Sequence, residues 1–137
     1  MEEFFVIGKP QGKARPRFGN GRTYTPRTTL EYESRIACLY RGKKMDGEIW
    51  IDITAEFQVP KSYTKKQKAE IKKGALPQKK PDSDNIAKVV MDALNGVAYY
   101  DDKQVVELRV KKVYSFEREG LNIAIGEKNE ITKLPSL

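Results

Sequence analysis

Asp82 and Asp84 stand two residues apart, Lys88 follows Asp84 by four, and a second acidic pair, Asp101-Asp102, comes soon after. In an extended or capping segment, neighbours at i and i+2 project to one side. Carboxylates gathered without counter-charge repel, and each tends to keep its proton. A divalent cation removes that conflict and creates a catalytic centre. Mg²⁺ takes one or two carboxylates, keeps several waters and accepts phosphate oxygens. At a phosphodiester it activates water and stabilises the leaving oxygen. Lys88 is suited to stabilise charge on a pentacovalent phosphate or to position the water. The metal candidates are therefore Asp82, Asp84 and Asp102, with Lys88 as a catalytic partner.

Each of these residues also has a plainer role open to it. Asp84 can be a helix N-cap, and Asp82 can favour the helix dipole. Lys88 can pair with Asp84 or Asp92 at i,i+4 spacing. Asp101-Asp102 can be turn residues. For Asp92 the plain reading is preferred: a surface charge, or a partner that orients Lys88.

The rest of the composition narrows the chemistry. The chain has no histidine and one cysteine, Cys38. A Ser-His-Asp triad, a Cys-His pair and a His-ligated zinc site are excluded. Cys38 sits among apolar neighbours in an expected helix and reads as a buried small hydrophobe. Oxygen ligands remain, and they favour Mg²⁺, Mn²⁺ or Ca²⁺.

The formal net charge is +7. It is clustered. Residues 9–27 carry Lys9, Lys13, Arg15, Arg17, Arg22 and Arg27 with no acid among them. Residues 61–80 carry Lys61, Lys65, Lys66, Lys68, Lys72, Lys73, Lys79 and Lys80 against Glu70 alone. Such clustering points to a polyanion, nucleic acid first. Lys9, Lys13, Arg15, Arg17, Arg27, Lys79 and Lys80 are the candidate DNA contacts. No apolar run is long enough to span a bilayer, and the N-terminus lacks the pattern of a signal peptide. A cytoplasmic protein is expected.

The elements that must position these residues follow from periodicity. Residues 3–7 read as a strand, and residues 8–27, rich in Gly and Pro, as a long functional loop. A helix capped by Thr28 or Thr29 stops at Gly42. Residues 48–59 alternate Ile49, Ile51, Ile53, Ala55, Phe57 and Val59 with more polar neighbours, as a half-buried strand does. Thr64 caps a short polar helix over 64–73, and residues 75–81 form a linker. Residues 84–95 give an amphipathic helix, with Ile86, Val89, Val90, Ala93 and Leu94 on one face and Ser83 or Asp84 as N-cap. Asn95-Gly96 ends it, and a left-handed exit at Gly96 lets the chain fold back toward Asp102. Residues 104–116 and 120–125 read as two strands joined as a hairpin. The tail from about 127 to 137 lacks pattern and is expected to be loose. At 137 residues the whole is one α+β domain, a small mixed sheet with helices on one face.

The run Lys80-Pro81-Asp82-Ser83-Asp84-Asn85-Ile86-Ala87-Lys88, with Met91-Asp92-Ala93-Leu94-Asn95-Gly96 and Tyr100-Asp101-Asp102-Lys103-Gln104-Val105, resembles the RusA-type Holliday junction resolvases. The opening Gly8-Lys9-Pro10, Lys13, Arg15-Pro16-Arg17 and Tyr24-Thr25-Pro26 is similar to theirs as well. The resemblance runs from about residue 4 to 125. It implies a homodimeric, Mg²⁺-dependent endonuclease that nicks four-way DNA junctions symmetrically, of a kind often carried by prophages. It also implies that Asp82, Asp84 and Asp102 are the acidic ligands and Lys88 the helix lysine. Asp101 matches a less critical acid. Ser83 stands where the family commonly has an apolar residue, and the 61–80 segment aligns loosely. A two-fold junction with two opposed cuts suits a C₂ dimer.

Two other readings compete. Asp82 with Glu107 on a later strand is similar to the restriction-type nuclease pattern, except that Arg109 stands where lysine belongs. Alternatively, the chain is a non-catalytic protein that binds branched DNA through its cations, with structural aspartates.

Overall fold

The computed structural model describes residues 1–128. Its core is a four-stranded mixed sheet. The strands are β1 (Glu2–Ile7), β4 (Ile49–Gln58), β5 (Val105–Ser115) and β6 (Gly120–Glu127), in the spatial order β1-β6-β4-β5. β6 runs antiparallel to both β1 and β4, and β5 runs parallel to β4. Two helices, α1 (Arg27–Leu39) and α3 (Ser83–Leu94), cover one face. A short helix α2 (Lys65–Lys72) and a small hairpin, β2 (Arg17–Gly19) with β3 (Arg22–Tyr24), lie outside this layer pair.

The patterning that makes the elements also makes the core. Ile49, Ile51, Ile53, Ala55 and Phe57 of β4 are buried, while Trp50, Asp52, Thr54 and Glu56 face the open side. The α3 stripe of Ile86, Val89, Val90, Ala93 and Leu94 packs with Tyr32 and Ile36 of α1 onto β4 and β6. Burying each such aliphatic side chain contributes about 1.5–3 kcal/mol. The core therefore holds α3 firmly against the sheet.

Several expectations are corrected. Residues 104–116 and 120–125 do not form a hairpin: β4 lies between β5 and β6 and pairs with both. Alternation reports which face of a strand is buried, not which strand lies beside it, and the most apolar strand takes an inner place. The 8–27 loop is not all loop. Asn20 (φ 53°) and Gly21 (φ 77°) make the left-handed turn that joins β2 to β3, as Asn-Gly does in tight hairpins. Neither Thr28 nor Thr29 caps α1: Pro26 holds the N-cap position and Thr29 is buried, while Cys38 on the same helix is exposed rather than buried. The N-cap of α3 is Asp82, not Ser83 or Asp84, and its side chain makes no capping bond. Glu127 belongs to β6, and the Lys128 amide donates to the Glu48 carbonyl at 2.7 Å. The remainder of the expected loose tail, 129–137, lies outside the described residues. Thr64 caps α2 as expected, in a reciprocal box with Gln67.

Candidate active site

The N-terminal basic loop is docked on the start of α3. The Lys13 amide donates to the Asn85 carbonyl at 2.9 Å. A Cβ at Gly12 would stand 2.8 Å from the Asn85 Cβ and 3.0 Å from the Pro81 Cβ, so only glycine allows this approach. Between loop and helix lies a cleft of about 510 Å³ lined by Lys9, Lys13, Arg15, Lys80, Asp82 and Asn85. The first turn of α3 leaves backbone N–H groups without helical partners. Cations, helix N-terminus and one carboxylate thus share a single opening, a combination suited to phosphate.

From that cleft the polar face of α3 runs away through exposed Asp84 and Lys88 to half-buried Asp92. Asp84 and Asp92 are separated by about 12 Å of helix rise. At the far end the chain turns back. Gly96 takes the left-handed conformation (φ 80°), and the loop is braced by Gln104. Its Oε1 accepts from the Tyr100 and Asp101 amides, while its Nε2 donates to the Met45 and Gly47 carbonyls. Asp101 caps the 3₁₀ turn Asp102–Gln104, accepting from the Lys103 amide at 2.9 Å.

Asp102 is placed by Tyr99, a fully buried residue whose hydroxyl lies 2.7 Å from the Met91 carbonyl and 3.1 Å from Asp102 Oδ1. Burial raises the proton affinity of Asp102. The Tyr99 hydrogen bond opposes this, and the charges of Asp92 and Asp101 add to it. Tyr99 itself is held firmly protonated by burial and by the nearby Asp102 charge. Sequence reasoning overlooked Tyr99. Its signal was a tyrosine three residues before a candidate ligand, in a turn that must bury something.

Lys13 departs from its expected role. Its side chain is only 15% exposed, and its amine pairs with Glu33 at 2.7 Å and Asp92 at 3.0 Å. Burial alone would lower its pKa, but the two carboxylates override burial and raise it. Lys13 is thus a strut between the loop, α1 and α3 rather than an open phosphate contact. Asp92 accordingly partners Lys13, where the expectation is a surface charge or a partner that orients Lys88.

Among the other expected contacts, Lys9, Arg15 and Lys80 meet at the cleft. Arg17 lies on the exposed hairpin, and Arg27 pairs with Glu31 at 3.0 Å on the surface. The Lys79 amine lies over the Phe57 and Tyr114 rings. Glu107 and Arg109 project from β5 in register with Trp50 and Asp52, on the sheet face away from the helices and from Asp82. Glu107 pairs there with Lys128. That separation removes the basis for a restriction-type pairing of Asp82 with Glu107.

Among the described residues, no group of three or more His, Cys, Asp or Glu side chains is gathered as a ready metal cage. No helix of those residues is long and apolar enough to cross a membrane.

The family model of the endodeoxyribonuclease RusA matches residues 8–126. The chain belongs to the RusA endodeoxyribonuclease family. RusA proteins are DNA-cleaving hydrolases, metal-dependent as a class, and the α+β fold of this chain fits that family. The chain is also 37% identical over 126 residues to the uncharacterised protein YqaN of Bacillus subtilis (strain 168), covering 84% of this chain and 89% of YqaN. The RusA match takes in the basic loop, the cleft, α3 and the Asp101-Asp102 turn together.

Proposed function

We propose that this RusA-family protein is a Mg²⁺-dependent endonuclease that resolves four-way DNA junctions by paired, symmetric nicks. The observation that carries the proposal is the cleft in which Lys9, Arg15 and Lys80 meet Asp82 at the N-terminus of α3. It offers a phosphate cationic side chains, free backbone donors and an oxygen ligand for a metal at one point.

Asp82, Asp84 and Asp102 would hold the cation, Mg²⁺ or in its place Mn²⁺. The donor set fits: all are oxygens, and Asp102 sits under the charges of Asp92 and Asp101, a strain that a divalent cation relieves. When bound, the metal supplies an activated water and stabilises the leaving oxygen. Asp82 and Asp84 are exposed to solvent. Lys9, Arg15 and Lys80 hold the phosphate backbone, and Lys88 offers its positive charge to the phosphate as charge builds on it. Asp101 supports Asp102 by capping the turn that carries it. A homodimer would present two such sites to the two strands cut at a junction. Roles in recombination and repair, a cytoplasmic location and a prophage origin accompany this reading.

The test compares a mobile four-way junction with a linear duplex of the same sequence, each with Mg²⁺ and with EDTA. Metal-dependent paired nicks in the junction, with the duplex spared, are expected. Tight junction binding without cutting in Mg²⁺ or Mn²⁺ would overturn the proposal in favour of a non-catalytic binder. Equal cutting of both substrates would keep the nuclease and remove the junction specificity.

A further inference from the structure

Helix α2 is the one α-helix of the described residues that buries no residue. Eight residues are too few to hold a helix in water by propensity alone. This one is held from outside. The Thr64–Gln67 box closes its first turn. Tyr63, just before it, packs edge-on against Tyr114, with ring centroids 6.2 Å apart. The Lys72 amine lies over the Phe116 ring, and the Val59 amide donates to the Ser115 carbonyl at 2.9 Å. The fold therefore maintains a helix that adds nothing to the core.

What the helix presents is charge. At 3.6 residues per turn, Lys65, Lys66, Lys68, Lys72 and Lys73 occupy an arc of about 160°. Gln67 and half-buried Ile71 lie on the opposite side, and Glu70, the only acid, sits at the edge of the arc. No ion pair of the described residues involves these lysines. The other basic region spends its charge differently, with Lys13 neutralised internally and Arg27 paired.

The position of α2 separates it from the turn that carries Asp102. Its anchors, Tyr114, Ser115 and Phe116, lie at the C-terminal end of β5. Val105, next to that turn, opens the same strand about 30 Å away. A surface this far off does not share a phosphate with Asp102.

We infer that α2 is a phosphate-gripping rail, which lies along the backbone of a duplex DNA arm and takes phosphates other than the one beside Asp102. From Lys65 to Lys72 the helix rises about 10 Å. Along one strand of B-DNA that distance takes in about three phosphates. The inference rests on the proposed function only for the identity of the polyanion as DNA.

The test is the salt dependence of binding by the full chain carrying Lys65→Gln, Lys66→Gln, Lys68→Gln and Lys72→Gln together. Glutamine keeps nearly the helix propensity of lysine, and the capping box is untouched. Binding to the four-way junction and to linear duplex is measured in EDTA from about 50 to 200 mM salt. The slope of log K against log salt is expected to become shallower by about 2–3 for both probes. The matching arginine set should restore it. Single-turnover cleavage at saturating protein should stay within about twofold of the parent, since no residue of the metal site is altered. An unchanged slope in a variant with parental far-ultraviolet dichroism overturns the inference, whatever the parent cuts. A shallower slope in a protein that never cuts keeps the rail and sinks the nuclease reading instead.

Discussion

The two basic regions are alike in composition and opposite in use. The loop at Gly12-Lys13 is pressed onto α3, where Lys13 is turned inward as a strut and Lys9 and Arg15 line the cleft beside Asp82. Residues 65–73 stand off the core, with Lys65, Lys66, Lys72 and Lys73 exposed and Lys68 half-buried. Clustered charge points to a polyanion in both cases. Which cations remain available, and for what, depends on whether acids from distant elements reach them first. Glu33 and Asp92 reach Lys13, whereas no comparable pair reaches the lysines of α2 among the described residues.

The contrast can be broken most sharply at the metal candidates. Asp82→Asn and Asp102→Asn should each lower junction cleavage by about 10³-fold or more, because a lost metal ligand removes transition-state stabilisation of several kcal/mol. Junction binding in EDTA should persist. Full activity in either variant would end the assignment of the chemistry to this end of the molecule. No α2 substitution should produce such a loss.

Next in size is the strut. Lys13→Met leaves Glu33 and Asp92 partly buried and unpaired, and should cost about 2 kcal/mol in urea unfolding, after discounting for their partial exposure. Lys66→Met on α2 should stay within about 0.5 kcal/mol. Equal costs for the two would erase the distinction between strut and rail.

Gly12→Ala tests the docking itself. The new methyl has no room against Asn85 and Pro81, so the loop must shift, at about 1–3 kcal/mol. Cleavage should fall more than stability does, because the cleft opens as the loop lifts. A variant as active as the parent would show that the cleft need not be closed for cutting.

The smallest effect is expected at Thr64→Ala. Losing the cap should weaken α2 by about 1 kcal/mol. Amide exchange should quicken over residues 65–72 while the core amides of β4 keep their protection.

Much of this was legible from the chain alone. Period-two alternation over 48–59, the apolar stripe over 84–95, the Thr64 cap and the stop at Gly96 are local features, dictated by side-chain geometry within a few residues. The absence of histidine confined the chemistry to oxygen ligands, and the spacing of Asp82, Asp84 and Lys88 put them at one end and along one face of α3. What tertiary structure alone decided is long-range. It inserted β4 between β5 and β6, where adjacency in sequence had suggested a hairpin. It seated Gly12 against Asn85 to make the cleft, ran Lys13 to Glu33 and Asp92, and set Tyr99 under Asp102. Each is a contact between elements many residues apart or a burial created by the fold, and burial and distance determine whether a charge is a ligand, a strut or a free grip.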